Sequence, residues 1–469
     1  MLLSLVLAIP IFSGLAAYLM RQGGAKGFAA LIAAVQTVLA VYLGLTSFPQ
    51  GMTHIVEWLP QFGLHWSLGL DGANFLLVLL TPIITWLAIL ATPDDTPNLS
   101  AYVASLLLLD GFLSGLFLSQ NLGLFYIFFE AMLLPALILI AGWSKVDAGK
   151  TAIKFLLYTM VGSLPMLLSI LVLFFTGVGG DSLEFSQLAL ADEKQIFLFY
   201  PFLLAFLVKM PIFPLHGWLP TLYKNAPPTV TAVIAALMSK AGTYGLFKVG
   251  LVVFPQAFAE VSASLAVLAV ASIIYGALTA LGSDSVREVL AYSSLSHIAM
   301  IAFGMTSLTV GGNVGASLQM AAHAVATGGL FLVVAVMERR HLPDQLRRFG
   351  GLAKHCPRLA VLALFLTLAS LGQPGLGSFP AELFILAGTW VRFSVLTVVA
   401  ASAIVLAAAY LLRWYQKLFT GPEGTYRKPE DLDSLESFIL TVPIALSLMM
   451  GFFPSWFMVP VRLWLEGKL

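Results

Sequence analysis

The sequence predicts an all-α polytopic membrane protein, and two observations support this fold class. Of the 469 residues, 59% are hydrophobic and only 10% are charged, whereas soluble domains average roughly 25% charged residues. A soluble chain could not cover its surface with so few charges. The apolar residues also recur in runs of about 20, and each run is long enough to cross the ~30 Å hydrocarbon layer as a helix.

The charge balance and the cysteine content exclude several kinds of site. The chain has 24 Lys and Arg against 23 Asp and Glu, and it has no basic block that would indicate nucleic-acid binding. Its single cysteine, Cys356, excludes disulfides, iron–sulfur clusters and cysteine-rich zinc sites. The N-terminal apolar run lacks the positive region of a signal peptide, because its first basic residue, Arg21, follows the run. We therefore expect this run to be a retained first helix.

Hydropathy predicts fourteen spans in a single transmembrane domain, 1–469, with short connections and no separate soluble part. Spans 1 to 3 cover 2–20, 28–47 and 71–92. Spans 4 to 8 cover 99–118, 121–141, 151–176, 195–219 and 228–253. Spans 9 to 14 cover 262–282, 286–307, 314–337, 358–390, 393–418 and 435–461.

Lysine and arginine predict the orientation of these spans, because cytoplasmic loops carry an excess of both. Each loop takes the number of the span that it follows. Odd-numbered loops hold most of the basic residues, namely Arg21, Lys26, Lys145, Lys150, Lys224, Arg287, Arg339, Arg340, Arg347, Arg348, Lys354, Arg358, Lys417, Arg427 and Lys428. Even-numbered loops hold little beyond Lys194 and Arg392. The odd-numbered loops are therefore predicted to be cytoplasmic, with both termini on the opposite face.

Two spans contain prolines and glycines that rule out a continuous helix. Span 7 contains Pro211, Pro214 and Pro220, and span 12 contains Pro374 and Pro380. Proline removes a hydrogen-bond donor and clashes with the preceding turn. Irregular backbone at membrane depth occurs only against protein or a wet cavity. Paired broken helices of this kind indicate inverted repeats around a transport pathway.

The spacing of charged residues also supports two repeats. Lys209 precedes Lys240 by as many residues as Glu382 precedes Arg413. A repeat with an odd number of helices reverses the orientation of the second copy, as inverted repeats require. We therefore predict two inverted five-helix repeats. The first covers 99–253 (helices 4–8) and the second covers 262–418 (helices 9–13), with 1–92 (helices 1–3) and 435–461 (helix 14) outside them.

A small set of ionisable residues falls well inside the predicted spans. These are Asp110, Glu130, Lys209, His216, Lys240, Lys248, His297, His323 and Glu382. A charge at the bilayer centre costs ~2.5–3.5 kcal/mol even on insertion scales, so such groups usually face the bundle interior, pair with one another or lie on an ion path. His216 and Lys248 lie toward span ends, where snorkelling to the interface is the simpler explanation. The others are candidates for a functional site.

Glu130 and Lys209 are the candidates for a proton switch. Glu130 lies near mid-span in LFYIFFEAMLLPALILI, and Lys209 directly precedes the break in span 7. Burial favours the neutral form of a lysine, and a nearby carboxylate favours its charged form. At ~4 Å and an effective dielectric near 20 the attraction is about 4 kcal/mol, enough to change protonation when the separation changes. The alternatives are a static buried ion pair and, for Glu130, a polar contact between helices.

Lys240, His323 and, with weaker support, His297 are the candidates for a proton relay. Lys240 lies mid-helix in AVIAALMSKAGTYGLF, with no neutralising partner on its own helix. Histidine titrates near physiological pH, so His323 and His297 could connect Lys240 to the second half of the chain. The alternatives are a lysine held by backbone carbonyls and histidines that only pack. No local spacing of His, Glu and Cys indicates zinc, so we expect no metal site.

Glu382 is predicted to be the terminal group of the path, because it follows the break in span 12. It could also cap the restarted helix, since GSFPAE resembles a capping box. Asp110, in LLLLDGFLSG, is a weaker candidate that would assist proton uptake. The chain has no Rossmann fingerprint, no Walker motif and no cysteine cluster. We therefore expect no nucleotide, flavin or iron–sulfur centre in this chain.

Six segments around these residues resemble the proton-conducting antiporter-like subunits of respiratory NADH–quinone oxidoreductase (complex I) and of multisubunit cation/proton antiporters. The segments are FYIFFEAMLLPALILI, KMPIFPLHGWLPTLYKNAPP, LMSKAGTYGLFK, YSSLSHIAMI, AAHAVATGGLF and GLGSFPAELFIL, and the resemblance runs from about residue 70 to 420. It implies a fold of 14 helices with two inverted five-helix repeats and a central hydrophilic axis that carries protons. The family's proton-path residues carry over to Glu130, Lys209, Lys240, His323 and Glu382.

Within this family the chain resembles the M-type subunit, the counterpart of mitochondrial subunit four. The ionisable group of helix 12 is a glutamate in that type, as Glu382 is here, whereas the L and N types typically have lysine. The chain also ends soon after span 14, without the long lateral helix of the L type. One departure is that Ser378 and Pro380 replace the polar and glycine residues expected before this glutamate.

The resemblance implies a proton-translocating membrane-arm subunit of a bacterial NADH–quinone oxidoreductase. It would lie in the plasma membrane with both termini on the periplasmic side, beside L-type and N-type subunits. NADH, FMN, iron–sulfur clusters and quinone are then expected in partner subunits, and no cofactor in this chain. A subunit of a sodium/proton antiporter or of a membrane-bound hydrogenase is the alternative of the same class. A structural scaffold that pumps nothing is the alternative of another class, although a scaffold needs no lysine at mid-membrane.

Overall fold

The computed structural model describes residues 1–20, 22–48, 50–176, 182–188 and 192–467 as a bundle of helices with one short β-hairpin. Arg21 and the side chain of Lys194, which contributed to the predicted orientation, lie outside the described residues. The predicted fold class, a polytopic helical membrane protein, is confirmed.

The hairpin lies between the second and third helices and was not predicted from the sequence. The elements are α1 (Leu2–Leu19), α2 (Gln22–Ser47), β1 (Met52–Leu59), β2 (Leu64–Leu70) and α3 (Phe75–Ala91). The two strands pair antiparallel, with Met52 opposite Leu70. Pairing lets the strands satisfy their backbone polar groups, which irregular backbone beside a bilayer could not do as easily.

The segment of the first predicted repeat is more broken than expected. It contains α4 (Leu99–Leu118), α5 (Leu122–Ala131), α6 (Leu133–Trp143), α7 (Ala148–Phe175), α8 (Asp192–Lys209), α9 (Trp218–Asn225), α10 (Pro228–Val233) and α11 (Lys240–Gly245). Predicted span 5 is interrupted at Met132, shortly before Pro135, which cannot donate to the preceding turn. Predicted span 8 contains two unpredicted π-helical segments, Ile234–Met238 and Leu246–Gly250.

The segment of the second predicted repeat and the C-terminal part show two further differences. They contain α12 (Pro255–Gly282), α13 (Val286–Thr306), α14 (Val310–Arg339), α15 (Pro357–Leu371), α16 (Ser378–Phe419), α17 (Ser434–Phe452) and α18 (Pro454–Glu466). Predicted spans 12 and 13 meet inside α16, where Phe393 has non-helical φ −134° and ψ 54°. The prediction that span 14 is one helix was wrong, because the helix is interrupted at Phe453, the residue before Pro454.

The breaks predicted in spans 7 and 12 are present. Helix α8 ends at Lys209 and α9 begins at Trp218, with a cis bond between Phe213 and Pro214. Eleven helices of the described part are long and apolar enough to cross a membrane, and shorter apolar helices accompany them. The count of fourteen crossings, the domain boundaries and the two inverted repeats stay predictions.

Two segments form the centre of the bundle. The apolar stretches of α14 and of the segment from α10 to the second π-helical turn are buried throughout. The segment from α10 to the second π-helical turn approaches α8 closely at Gly242. Any other residue at position 242 would place its Cβ 2.6 Å from the carbonyl oxygen of Phe206. These two central segments carry Lys240 and His323, so the fold brings the two side chains together.

Candidate functional site

Glu130 and Lys209 lie at the ends of α5 and α8, where each helix is interrupted. Lys209 is buried, and its Nζ lies 4.7 Å from the centre of the Phe129 ring, a favourable position for a cation. Neither Lys209 Nζ nor Glu130 Oε1 has a hydrogen-bond partner within the described ranges. The two groups are near enough to interact electrostatically but do not form an ion pair with nitrogen and oxygen within 4.0 Å. The predicted pair is therefore open in this structure.

Lys240 lies directly after the π-helical turn Ile234–Met238 and is completely buried. The wider turn leaves backbone carbonyls free of their usual partners. Lys240 Nζ donates to the carbonyl of Ala235 at 2.8 Å and lies 3.3 Å from Ser239 Oγ. It also contacts His323 Nδ1 at 2.5 Å. One backbone carbonyl and the relay histidine both contact the amine of Lys240, so the two explanations given for this lysine are compatible.

The histidines connect Lys240 to Glu382. His323 Nε2 lies 3.2 Å from Thr327 Oγ1, and the ring centres of His323 and His297 are 5.9 Å apart. His297 Nδ1 lies 3.5 Å from Glu382 Oε1. All the titratable members of this series are at most 7% exposed. The structure therefore brings four of the predicted site residues into one buried series, which we call the central series: Lys240, His323, His297 and Glu382.

Glu382 lies in the first turns of α16, beside the break between α15 and α16. Its Oε1 accepts a hydrogen bond from Gln319 at 3.2 Å, and its Oε2 would lie 2.9 Å from a Cβ at Gly372. Gly372 has φ 75°, a conformation that favours glycine. The alternative that Glu382 caps this helix is wrong, because α16 begins after Gly377 without a side-chain cap. A small cavity of about 10 Å³, lined by Ser296, His297 and Glu382 among others, is just large enough for one water molecule.

Asp110 lies apart from the central series. Its Oδ1 accepts from Gln36 at 3.2 Å and from Ser114 at 3.4 Å, and Gln36 also donates to the carbonyl of Val6. Asp110 Oδ2 and Gln36 Oε1 are both buried without a donor in the part of the chain described. Asp110 therefore connects α1, α2 and α4 and contacts no other predicted site residue.

Two residues assigned to span ends are buried instead. Lys248 is 3% exposed and forms an ion pair with Asp71, so the expectation that it snorkels was wrong. Snorkelling was also wrong for His216, which is buried with Nε2 lying 3.2 Å from the Tyr275 hydroxyl. Both corrections have the same cause: hydropathy gives depth in the membrane but not which side of a helix faces protein.

Gln319 and Thr327 were missed from the sequence. Both lie on α14 one turn from His323, at positions i−4 and i+4, and both contact members of the central series. Residues four apart share one helix face. The polar triplet Gln319, His323 and Thr327 in an otherwise small and apolar helix could therefore have identified the polar face.

A cavity of about 510 Å³ lies at the odd-numbered loops and is lined by charged residues, including Lys145, Lys224, Arg287, Glu338 and Asp344. Lys145 pairs with Glu338 at 2.8 Å, and Arg287 pairs with the same carboxylate. Burial and the nearby Arg287 lower the pKa of Lys145. Burial raises the pKa of Asp344, although a hydrogen bond from Ser285 opposes the change. This vestibule gives water and ions access to one end of the bundle.

Among the residues that the structure describes, no group of three or more His, Cys, Asp and Glu could hold a metal ion. The free thiol of Cys356 is buried and lies near the carbonyl of Glu430. Amines, imidazoles and carboxylates of the kinds that this site brings together can exchange protons.

Comparison with known proteins gives consistent similarities. Residues 119–407 match the family described as NADH:quinone oxidoreductase/Mrp antiporter, TM. The chain is 34% identical over 457 residues to NADH-quinone oxidoreductase subunit 13 of Thermus thermophilus, covering 97% of this chain and 95% of that one. It is 33% identical over 407 residues to NADH-ubiquinone oxidoreductase chain 4 of Marchantia polymorpha, covering 86% and 82%.

Two solved structures share the fold. A chain of respiratory complex I from Thermus thermophilus with bound NADH superimposes with a TM-score of 0.93 at 32% identity, covering 99% of this chain and 98% of that one. A chain of the Mrp complex from Dietzia sp. superimposes with a TM-score of 0.88 at 21% identity, covering 98% and 96%. The second likeness concerns the fold alone.

Proposed function

The chain belongs to the NADH:quinone oxidoreductase/Mrp antiporter transmembrane family, and from this premise we propose that it translocates protons as a membrane-arm subunit of a NADH–quinone oxidoreductase. The family predicted from the six segments is thereby confirmed, and the names of the relatives agree with the predicted M type. One observation carries the proposal: the central series of Lys240, His323, His297 and Glu382 is buried and connected across the bundle.

Glu130 controls the protonation of Lys209 in this proposal. Lys209 Nζ and Glu130 Oε1 are buried atoms without hydrogen-bond partners among the described residues, so a small change in the separation of the two groups has a large effect. When Glu130 approaches, Lys209 Nζ holds its proton; when Glu130 withdraws, burial favours release from Nζ. An open pair beside an interrupted helix supports a switch better than a static ion pair does.

The central series then moves the proton across the bundle. A charged Lys240 donates through Nζ to His323 Nδ1, which accepts in the neutral imidazole. Transfer to Nδ1 leaves Lys240 neutral and His323 charged. His297 Nδ1 faces Glu382 Oε1, so Glu382 is the group that receives the proton at the far end. Asp110 is left outside this path, because its side-chain hydrogen bonds within the described residues come from Gln36 of α2 and Ser114 of α4.

Protons move from the cytoplasmic side to the periplasmic side in this proposal, with the vestibule at the odd-numbered loops facing the cytoplasm. The excess of lysine and arginine in those loops supports the orientation. NADH oxidation and quinone reduction, with their FMN and iron–sulfur clusters, belong to partner subunits. L-type and N-type subunits are the neighbours that we propose in the membrane arm.

Isosteric substitution at the switch tests this function. Glu130→Gln and Lys209→Met, made in the assembled complex, are expected to abolish proton pumping through this subunit, because neither can exchange a proton. Proton release per quinone reduced in sealed vesicles is the measurement. Lys150→Met is the control, since Lys150 is 85% exposed at the surface, and it should pump normally. Normal pumping by both assembled switch variants would reject the proposal.

A subunit of a sodium/proton antiporter remains the second candidate, because the matching family includes Mrp antiporters. Subunit composition after purification in mild detergent separates the two: quinone-reductase subunits support the first and small antiporter subunits the second. A non-pumping scaffold makes a different prediction. Pumping would persist after Lys209→Met, Lys240→Met and Glu382→Gln were combined.

A further inference from the structure

A largely buried ion pair involves the helix that carries Lys240. Lys248 Nζ contacts Asp71 Oδ2, and Lys248 is almost inaccessible to solvent. Asp71 follows β2 and Lys248 belongs to the second π-helical turn of this helix, so the pair lies at the face of the even-numbered loops. Burying two charges is costly unless they are paired and further hydrogen-bonded. Asp71 meets that condition, because its Oδ1 also accepts from the backbone of Ala73 at 2.9 Å.

Polar side chains lie between Lys240 and Lys248 on this helix, and others lie beside Asp71. Thr243 donates to the Lys240 carbonyl at 3.1 Å. The Tyr244 hydroxyl donates to the Phe117 carbonyl at 2.9 Å, and Asn74 donates to the same carbonyl at 2.8 Å. Asn74 also accepts from the backbone of Asp71 at 2.8 Å. We call Thr243, Tyr244, Asn74, Asp71 and Lys248 the polar column. Its Tyr244, Asn74 and Asp71 are joined through shared hydrogen bonds, and Thr243 lies one helical turn from Lys240.

Helix α18 covers the end of this column. The Trp464 ring lies 4.8 Å from Lys248 Nζ and stacks on Phe247 with ring centres 5.5 Å apart. The backbone of α18 also lies very close to Gly72, because a Cβ at that position would be 2.0 Å from the carbonyl oxygen of Pro460. The break at Phe453 turns α18 away from α17 into this position. No described contact of α18 involves the central series itself.

We propose that Asp71, Lys248 and Trp464 form a seal that prevents protons at the face of the even-numbered loops from returning to Lys240. The inference rests on the proposed function and deepens it. With the seal closed, a proton on Lys240 Nζ leaves only toward His323, His297 and Glu382. With the seal broken, the polar column offers a second route, and protons return through it without doing work.

The charge of Lys248 explains why Asp71 belongs to the seal. Lys240 and Lys248 are eight residues apart, or about 12 Å along the helix axis. At that distance and an effective dielectric near 20, an unpaired Lys248 would weaken proton binding at Lys240 by about tenfold. Asp71 cancels this effect. The pair thus shields Lys240 electrostatically, while Trp464 excludes solvent.

The test uses the complete complex in sealed vesicles and reads two quantities, proton pumping and quinone reduction. Trp464→Ala removes the cover and leaves both charges, and Lys248→Met removes the charge. Both are expected to reduce the protons pumped per quinone and to make the gradient decay several-fold faster once turnover stops, with quinone reduction unchanged. If these residues had only a structural role, the substitutions would not lower the number of protons pumped per quinone and at the same time leave quinone reduction unchanged.

Two controls accompany these variants. Trp456→Ala alters a tryptophan of the same helix that is 62% exposed on its outer side, and Lys248→Arg keeps the charge; both should behave as the unaltered complex does. If the complex with Lys248→Met does not assemble, the complex with Trp464→Ala tests the seal by itself. If the Trp464→Ala complex pumps the usual number of protons per quinone and its proton gradient decays at the unaltered rate, the proposed seal is wrong. If Glu130→Gln and Lys209→Met still stop pumping in that case, the proposed function stands without it.

Discussion

His297 lies between His323 and Glu382 in the central series. Its ring is 5.9 Å from that of His323, and its Nδ1 is 3.5 Å from Glu382 Oε1. Its Nε2 is buried with no partner in the part of the chain that the structure describes. An imidazole can accept a proton on one nitrogen and release it from the other, which suits a residue between two titratable groups.

Replacing His297 should therefore interrupt transfer while leaving the fold intact. His297→Gln keeps a polar side chain but cannot carry a proton, and proton pumping is expected to fall on the order of a hundredfold. Tyr410→Phe is a matched control, because the Tyr410 hydroxyl donates to Ser293 in the same region and is not in the series. Pumping measured at equal complex content checks this. Undiminished pumping by His297→Gln would show that the proton bypasses the imidazole.

Asp110 and Gln36 leave one unpartnered oxygen each, and a proton on Asp110 Oδ2 would satisfy both as an acid–amide pair. Asp110→Asn can reproduce this pair, so stability and pumping should be unchanged. Asp110→Leu removes the acceptor of one Gln36 hydrogen bond and leaves Gln36 Oε1 buried without a donor, and it is expected to cost about 1–3 kcal/mol. Thermal unfolding of the purified complex measures the difference. Loss of pumping in a stable Asp110→Asn complex would instead place Asp110 on the proton path.

At the level of helices, the interruptions fall into two groups. Prolines predict the breaks in spans 7 and 12, because the missing N–H is visible in the sequence. The π-helical turns beside Lys240 have no comparable signature. They arise where the helix fits against its neighbours, as at Gly242, which approaches the Phe206 backbone. The carbonyl that holds Lys240 therefore could not be predicted.

The close approach of α11 to α8 gives a prediction about this element. Gly242→Ala would place a Cβ 2.6 Å from the Phe206 carbonyl oxygen, so backbone must shift at a cost of about 1–3 kcal/mol. Gly282→Ala is the control, because nothing lies within 4 Å of a Cβ there. The yield and melting temperature of the assembled complex measure the effect. Equal stability of the two variants would contradict the packing described for these helices.

For the molecule as a whole, hydropathy predicts the fold well, since spanning segments must satisfy their backbone internally and so become helices. The pairing of side chains from distant segments is less predictable. Gln319 with Glu382, Gln36 with Asp110 and Lys248 with Asp71 depend on the rotation of each helix about its axis. The identities of most path residues could be inferred from the cost of intramembrane charge, but their contacts could not.

The orientation of the molecule can be tested by chemical labelling. The native Cys356 is buried, and Cys356→Ala gives a background without thiols in this chain. In that background Lys150→Cys, in an odd-numbered loop, should react with a membrane-impermeant reagent only from the cytoplasmic side. Glu57→Cys, exposed on the hairpin, should react only from the periplasmic side. The reversed pattern would contradict the proposed direction of proton movement.

The most direct test of the central claim is the number of protons pumped per quinone reduced by a complex with Lys240→Met. Lys240 is buried and contacts His323, and methionine preserves its length without the amine. The account predicts that this ratio falls in a fully assembled complex, while Lys150→Met retains the unaltered ratio. An unaltered ratio in assembled Lys240→Met would contradict the claim that the central series carries protons.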